Sequence, residues 1–172
     1  MSTYLIAGPP AVGKSTVARL LAESPERSVL IDVDRIRDGM VVNGAVLPSE
    51  QGWPAELVEQ LAAARTAACA IAIAYAAIGF DVVIDDFYDP QSRLAEYEGL
   101  DACRILLMPD RDIAVSRSSE RSPEAAAFIA AGITEVYALM PSKADLGAAG
   151  WHVLDTSGET AAQTRDRILA IT

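Results

Sequence analysis

The sequence predicts an α/β fold in which helices cover both faces of a five-stranded parallel sheet. Short apolar runs of strand length alternate along the chain with longer segments of helical periodicity. Three of these runs lead directly into a glycine-rich loop or into carboxylates, which is typical of the carboxyl edge of a parallel sheet, where ligands bind. With right-handed crossovers, this order gives three layers, with the first strand at the centre of the sheet.

The first predicted strand and helix flank a phosphate-binding pattern. A strand-length run over 3–7 leads into the segment GPPAVGKS at 8–15, and helical spacing follows. The segment fits G-x-x-x-x-G-K-[ST], in which backbone N–H groups of the loop and of the helix N-terminus surround an anion. The predicted nucleotide site consists of Gly8, Ala11, Val12, Gly13, Lys14, Ser15 and Thr16.

The residue types in this loop suit phosphate chemistry. Gly8 and Gly13 let the backbone approach a phosphate closely, because a side chain would fill its place. Lys14 is predicted to reach the outer phosphates as a point charge with a catalytic role, and the Ser15 hydroxyl is predicted to bind Mg²⁺. The alternative interpretation is a glycine-rich turn that binds nothing.

A second strand-length run, 28–31, ends in the carboxylates Asp32 and Asp34. Alternation places both on one side if the strand continues, and Arg37 lies one turn further along if a helix begins at Asp34. Asp32 is therefore a candidate metal ligand, and Asp34 and Arg37 are candidate catalytic and substrate-binding residues. In the alternative interpretation, Asp34 only caps a short helix.

The next segment, from Gly39 to Gly52, is predicted to be a loop that covers a substrate. Pro54 suits the first turn of a long helix that Gly79 ends. The apolar run over 67–80 is too short to span a bilayer and predicts a buried helix, not a membrane anchor. The predicted core face of this helix comprises Leu57, Leu61, Ala64, Ala68, Ile71, Tyr75 and Ile78.

A third strand, predicted over 80–84, ends in Asp85 and Asp86. A buried strand that delivers an acid to a metal has the outline of a Walker B element. We assign Asp85 to the metal and Asp86 to the acceptor, although their spacing alone does not separate the two roles. A surface helix is predicted over 89–99, followed by a fourth strand over 102–108.

An arginine-bearing segment over about 111–123 is predicted to form a lid. Arg117 and Arg121 are four residues apart and share a helix face, and Arg111 precedes them. Because phosphoryl transfer needs cations over the migrating group, Arg117 and Arg121 are candidate catalytic residues. The alternative is a solvated helix in which acidic neighbours pair with these arginines.

The last third of the chain predicts a helix from Ser122 onward, a final strand over 151–154 and a last helix. Thr156 and Glu159 fit a capping box for that helix, and the single histidine, His152, is predicted to be structural. With no linker or repeat, residues 1–172 are predicted to form one domain.

The composition of the chain limits the classes of partner that we expect it to bind. The formal net charge is −10, which disfavours a nucleic-acid backbone, since binding one relies on clustered Lys and Arg. No export signal is evident, and two isolated cysteines without metal-like spacing suit a reducing cytoplasm, where we expect the protein. The expected partner is a small molecule, and the oligomeric state stays open.

Five elements together resemble the small P-loop kinases, most closely the chloramphenicol phosphotransferase-like group, with polynucleotide kinase and shikimate kinase as more distant relatives. The resemblance covers nearly the whole chain. The elements that carry it are 8–15, Asp32-x-Asp34-x-x-Arg37, 83–86, the Arg117/Arg121 segment and 154–157.

The resemblance implies binding of ATP and Mg²⁺ and transfer of the γ-phosphoryl group to a hydroxyl of a small molecule, such as an antibiotic, a nucleoside or another metabolite. In this family pattern, Asp34 would accept the hydroxyl proton and Arg37 would hold the acceptor or the γ-phosphate. Arg117 or Arg121 would be the lid arginine. The residues implied to lie by the adenine are Asp155, Thr156 and Ser157.

Two other functions stay open. A nucleotide-dependent switch or ATPase that phosphorylates nothing is one, because 142–145 approximates the N/T-K-x-D guanine signature. The strand ending at Asp85, however, lacks the D-x-x-G that such switches use. A nucleotide or polynucleotide kinase is the other, and the acidic balance disfavours it.

Overall fold

Five parallel strands form one sheet in the order β2-β3-β1-β4-β5 in the computed structural model, which describes residues 1–45, 54–121 and 126–171. The predicted central position of the first strand is confirmed. The strands are β1 (Thr3–Ala7), β2 (Ser28–Asp32), β3 (Asp81–Asp85), β4 (Cys103–Leu107) and β5 (Trp151–Leu154).

Helices cover both faces of the sheet, as predicted. The helices are α1 (Lys14–Ala22), α2 (Ala55–Ala77), α3 (Arg111–Arg121), α4 (Ala126–Leu139), α5 (Lys143–Ala148) and α6 (Ala161–Leu169). Side chains of α2 and α5 pack into the apolar cluster on one face, and side chains of α1, α3, α4 and α6 pack into the cluster on the other.

Alternation along the central strand produces these two clusters. Leu5 and Ala7 face the α2 side, whereas Tyr4 and Ile6 face the α1 side. Leu5 and Ile6 are completely buried, and full burial of one such side chain stabilises a fold by about 1.5–3 kcal/mol. The phosphate loop therefore starts from a strand whose last four residues are buried, which gives it a rigid base.

Strand register brings the predicted acids to the phosphate loop. Asp32 at the end of β2 pairs with Asp85 at the end of β3, and Asp85 pairs in turn with Ile6 of β1. β2 ends at Asp32 and a π-helical turn, Arg35–Gly39, follows soon after. The strand does not continue to Asp34, so the expected strand alternation does not place that carboxylate.

The prediction of a surface helix over 89–99 is wrong. This segment consists of turns and a single 3₁₀ turn, Ala95–Tyr97. Arg93 and Leu94 have φ of 52° and 58°, left-handed values that end any right-handed helix. Leu94 and Tyr97 are buried in the core, so packing selects this shape over the local helical pattern.

The long helix α2 begins well before the predicted apolar run over 67–80 and ends at Ala77. By length and composition alone, this 23-residue helix is apolar enough to cross a membrane, and 33% of its most apolar window is buried against the rest of the protein. Two residues of the predicted core face, Tyr75 and Ile78, are exposed. One charged residue that the apolar pattern did not include, Arg65, is 1% exposed.

The capping box of the last helix was assigned to the wrong pair. Thr160 accepts a hydrogen bond from the Gln163 N–H, and the Gln163 side chain in turn accepts one from the Thr160 N–H. The predicted pair, Thr156 and Glu159, lies one turn earlier and lines a cavity. Both pairs fit the same spacing, so only the tertiary structure distinguishes them.

Candidate active site

The phosphate loop connects β1 to α1 through unusual backbone angles. Ala11 and Gly13 have φ of 62° and 99°, both in the left-handed region. Gly8 lies so close to β4 that a Cβ there would come within 2.4 Å of the Leu107 carbonyl oxygen. The loop thus needs glycine at position 8 for packing, and it turns the N-terminus of α1 towards the edge where β1 ends.

Two cavities lie on the two sides of this loop. The smaller has a volume of about 230 Å³, and its walls include Val12, Gly13 and Thr16 of the loop and of α1. The larger has a volume of about 590 Å³ and is lined on its loop side by Pro10, Ala11, Lys14 and Ser15. The start of α1 therefore separates two chambers that share one phosphate-binding turn.

Asp85 lies between the loop and the larger cavity. It is 7% exposed, and its Oδ1 has no hydrogen-bond partner among the described residues. Burial raises the pKa of Asp85, while Lys14 and a hydrogen bond with Ser15 act in the opposite direction. A buried carboxylate oxygen that lacks a partner, beside a hydroxyl, fits a magnesium ion, which takes one or two carboxylates and otherwise phosphate oxygens and water.

Asp32 is held differently. Its carboxylate accepts a hydrogen bond from the Arg35 N–H at 3.2 Å and pairs with the Arg35 guanidinium at 3.4 Å. In the part of the chain that the structure describes, no three His, Cys, Asp or Glu side chains gather into a metal-binding group. Ser15 and Asp85 are thus the predicted metal ligands that the structure brings into hydrogen-bond contact.

Asp34 and Arg37 both line the larger cavity. Arg37 is buried and forms a two-pronged hydrogen bond with Asp38 at 2.8 and 2.7 Å, which is the main reason that its pKa is raised. Its guanidinium also lies 3.1 Å from Asp34, whose side chain is 63% exposed. The arginine therefore fixes a solvent-facing carboxylate at the cavity rim.

Arg65 of α2 is the residue that the sequence interpretation missed. Its buried guanidinium donates a hydrogen bond to Asp86 at 2.8 Å and another to the Ser92 hydroxyl at 3.0 Å. Asp86 also accepts a hydrogen bond from the Tyr97 hydroxyl at 3.1 Å. Burial raises the pKa of Asp86 to about 6, although Arg65 acts against this shift. Asp86 thus belongs to a buried polar network at the wall of the larger cavity.

A sequence signal for Arg65 existed. The buried face of α2 runs through Leu61, Ala64 and Ala68, and the helical period places residue 65 on the same face. A lone guanidinium on a predicted core face needs a buried partner. The partner, Asp86, is 21 positions away on another element, so the sequence did not reveal the pair.

The smaller cavity contains Thr156 and Arg117. Arg117 donates hydrogen bonds to the carbonyl oxygens of Val12 and Thr156, both at 3.3 Å. Thr156 is 3% exposed, and its Oγ1 has no partner among the described residues. Arg117, which belongs to the predicted lid, therefore contacts both the phosphate loop and the segment after β5. It lines the smaller cavity, whereas Lys14 lines the larger one.

Other predicted residues lie outside both cavity walls or outside the described residues. Asp155 and Ser157 bond to each other in a turn, with the Ser157 N–H and hydroxyl donating to Asp155 at 2.9 and 2.6 Å. These bonds lower the pKa of Asp155. The Arg121 side chain, part of the lid (122–125) and part of the predicted covering loop (46–53) lie outside the described residues.

The fold and the loop together define a class: the chain has a P-loop kinase-like α/β fold. A family model described as an AAA domain matches residues 4–136, which is most of the chain, so the protein belongs to this family. No curated protein sequence matches the chain.

Three solved structures share this fold over nearly the full length. The tunicamycin resistance protein of Deinococcus radiodurans has a TM-score of 0.65 at 15% identity, covering 99% of this chain and 94% of its own. A gluconokinase from Sinorhizobium meliloti 1021 has a TM-score of 0.61 at 15% identity, and the match covers 98% of this chain and 90% of the gluconokinase. The protein APE1195 has a TM-score of 0.60 at 19% identity, and the match covers 99% of this chain and 93% of APE1195. The predicted P-loop kinase fold is confirmed, and the closer resemblance to the chloramphenicol phosphotransferase-like group stays a prediction.

Proposed function

We propose that this protein transfers the γ-phosphoryl group of ATP to a hydroxyl of a small molecule. The observation that carries the proposal is the pair of cavities on the two sides of one phosphate loop. A phosphotransferase needs one chamber for the nucleoside and another for the acceptor, with the phosphates between them. A switch that only hydrolyses its nucleotide has no need of the second chamber.

The nucleoside is assigned to the smaller cavity. Its walls combine the apolar Val12, Val17 and Leu107 with the Thr156 hydroxyl, which has no partner in the described ranges, and this combination suits the face and the edge of a nucleobase. Arg117 covers one side of this cavity, and its planar guanidinium can stack on a base. The phosphates would then lie over Gly13 and Lys14.

Lys14 and Ser15 are assigned to the outer phosphates and the metal. The Lys14 ammonium donates to the Pro9 carbonyl at 2.9 Å, and this contact holds it over the loop. Ser15 and Asp85 would hold Mg²⁺, which supplies charge neutralisation for the leaving phosphate oxygens. Arg121 remains a candidate for the lid arginine beside Arg117.

Asp34 is assigned as the general base. Its carboxylate is exposed at the rim of the larger cavity, and the Arg37 guanidinium, 3.1 Å away, holds it in place. As the acceptor oxygen forms its bond to the γ-phosphorus, the bond to the bridging oxygen breaks, and the hydroxyl proton passes to Asp34. ADP leaves with the electron pair of the broken bond. Arg37 would also contact the acceptor.

The test is a mass-spectrometric screen for the gain of one HPO₃ unit. Hydroxylated metabolites, antibiotics, nucleosides and oligonucleotides are incubated with ATP and Mg²⁺ and with wild type, Asp34→Asn or Asp101→Asn. Asp101 is an exposed loop residue outside both cavities, so its variant controls for the charge change. We expect transfer that falls about 100-fold or more in Asp34→Asn, with ATP affinity retained.

Other results point elsewhere. Equal rates in the two aspartate variants would remove Asp34 from the proton transfer. ATP binding and slow hydrolysis without transfer to any compound would favour the switch. Phosphorylated oligonucleotides, with a steep salt dependence of binding, would favour a polynucleotide kinase.

A further inference from the structure

We propose that the hydroxyl acceptor is an amine that carries a positive charge at neutral pH. This inference rests on the proposed function, because it takes the larger cavity as the place of the acceptor. It follows from which charges in that cavity already have partners and which do not.

The guanidinium at the floor of the cavity is fully engaged. Arg65 lies 2.8 Å from Asp86, 3.6 Å from Glu96 and 3.9 Å from Asp89, so three carboxylates surround one cation. Glu96 keeps a buried carboxylate oxygen, Oε2, that has no hydrogen-bond partner among the described residues. This group of side chains has acceptor capacity left over and no cation to offer an anionic ligand.

The second guanidinium is engaged in the same way. Arg37 binds Asp38 through two hydrogen bonds and Asp34 through an ion pair at 3.1 Å. An acidic acceptor would have to displace one of these carboxylates from the buried guanidinium and so give up the hydrogen bonds or the ion pair that Arg37 already makes. Lys14, the remaining cation on the described walls, belongs to the phosphate end.

The opposite wall adds a carboxylate. Glu135 of α4 lines the cavity, is exposed and has no ion pair within the described part of the chain. Its neighbours on the wall are the apolar Val136 and Leu139, and Val58 of α2 lies on the same cavity. An ammonium group placed here would gain a charge partner, whereas a neutral or anionic group would not.

The segments 46–53 and 122–125, which lie outside the described residues, contain Glu50 and Glu124 and no Lys or Arg. The Arg121 side chain also lies outside the described residues, and the proposed function assigns it to the phosphates as a lid arginine. A volume of about 590 Å³ lies within the range of small-molecule sites, so the cavity has room for an amine with a ring-sized body. Apolar walls with acidic ends suit an amphipathic hydroxylated amine.

The experiment measures binding and transfer with hydroxylated acceptors that differ chiefly in charge. Glucosamine, N-acetylglucosamine and gluconate provide one set, and kanamycin and its fully N-acetylated form provide a second, larger pair. Calorimetry in the presence of ADP and Mg²⁺ gives affinities, and mass spectrometry with ATP gives transfer. The variants are Glu135→Gln, Glu135→Lys and, as a control of equal charge change, Glu59→Gln on the exposed side of α2.

We expect the amine member of each set to bind most tightly, and Glu135→Gln to weaken that binding about three- to tenfold. Glu135→Lys is expected to shift the preference towards the neutral and acidic members, and Glu59→Gln is expected to leave the order unchanged. Glu135 is exposed, so these variants should fold as the wild type does.

Several results would overturn the inference. Preferred transfer to a neutral or acidic member of a set overturns the inference of an amine acceptor. Amine binding that Glu135→Gln leaves unchanged also overturns it. Neither result contradicts the proposed phosphotransfer. If the amines do not bind at about 10 mM while ADP still binds, the inference of an amine acceptor is also overturned. The proposed phosphotransfer is unaffected by that result. Amine binding without transfer to any compound instead contradicts the proposed phosphotransfer and retains the amine-binding cavity.

Discussion

The two cavities beside the phosphate loop are built from different chemistry. In the smaller cavity, Arg117 donates to backbone carbonyls, and the Thr156 hydroxyl has no hydrogen-bond partner among the residues that the structure describes. In the larger cavity, buried side-chain charges hold each other, as Arg65 and Asp86 do. Substitutions in the smaller cavity should therefore change ligand affinity with little effect on folding, whereas substitutions under the larger cavity should change stability first.

Removing the central cation of the larger cavity should have the largest effect. Arg65→Met leaves Asp86 and Glu96 buried without their partner, so we expect a loss of about 3–5 kcal/mol in the free energy of unfolding. Urea unfolding measures it. Arg19→Met, an exposed arginine of α1, is the matched control and should change stability by less than about 0.5 kcal/mol. Equal losses in the two variants would show that the network contributes nothing.

The loop between the cavities should respond in the opposite way. Lys14→Ala is expected to leave unfolding in the absence of ligand nearly unchanged, to abolish thermal stabilisation by ATP and Mg²⁺, and to lower transfer about 100- to 1,000-fold. Differential scanning fluorimetry provides the first two readings. Lys143 is the only other lysine and is exposed, so Lys143→Ala is a natural control. Full stabilisation of Lys14→Ala by ATP would refute the assignment of the loop.

The larger cavity should also make stability depend on pH. Burial raises the pKa of Asp86 to about 6 from 3.8, so the folded protein binds this proton more tightly than the unfolded chain does. The resulting stabilisation is fully present below pH 4 and is lost as the pH rises through 6. From pH 4 to 7, wild type should lose about 2 kcal/mol relative to Asp86→Asn. Urea unfolding of both proteins across this pH range measures the loss. A difference in the free energy of unfolding that stays constant with pH would contradict the raised pKa of Asp86.

The smallest effect is expected in the smaller cavity. Thr156→Val removes a buried hydroxyl that has no partner within the described part of the chain, so the free protein should be as stable as wild type or slightly more stable. If that hydroxyl bonds the base, the affinity for ATP should fall about three- to tenfold. Thr134→Val on the exposed side of α4 serves as the control, and calorimetry measures both. Unchanged ATP affinity in Thr156→Val would place the base elsewhere.

Local signals predicted the phosphate loop and the central position of β1 in a parallel sheet. The segment from Gly8 to Ser15 and the acids after β2 and β3 are contiguous patterns, so one stretch of sequence carries each. Helical or strand periodicity also identified β1, α1 and α2, because their core faces repeat regularly.

Long-range contacts account for the errors. The 89–99 segment has a helical pattern, but Leu94 and Tyr97 are drawn into the core by residues far along the chain. Arg65 was missed because its partner Asp86 lies on another element. Thr156 and Thr160 both start a capping pattern, but Thr156 and Glu159 line the smaller cavity and Thr160 caps α6. Each error concerns a choice between local options that the tertiary structure makes.

The hydrogen bond from the Asp86 N–H to the Ile6 carbonyl, at 3.1 Å, joins the end of β3 to β1 just before the phosphate loop. The loop and the acid at Asp85 are therefore parts of one rigid sheet edge, whereas the outer wall of the larger cavity comes from α2 and α4. In evolutionary terms the two ends can diverge separately. Descendants of such a chain can exchange the helical wall for another acceptor while inheriting the phosphate machinery unchanged.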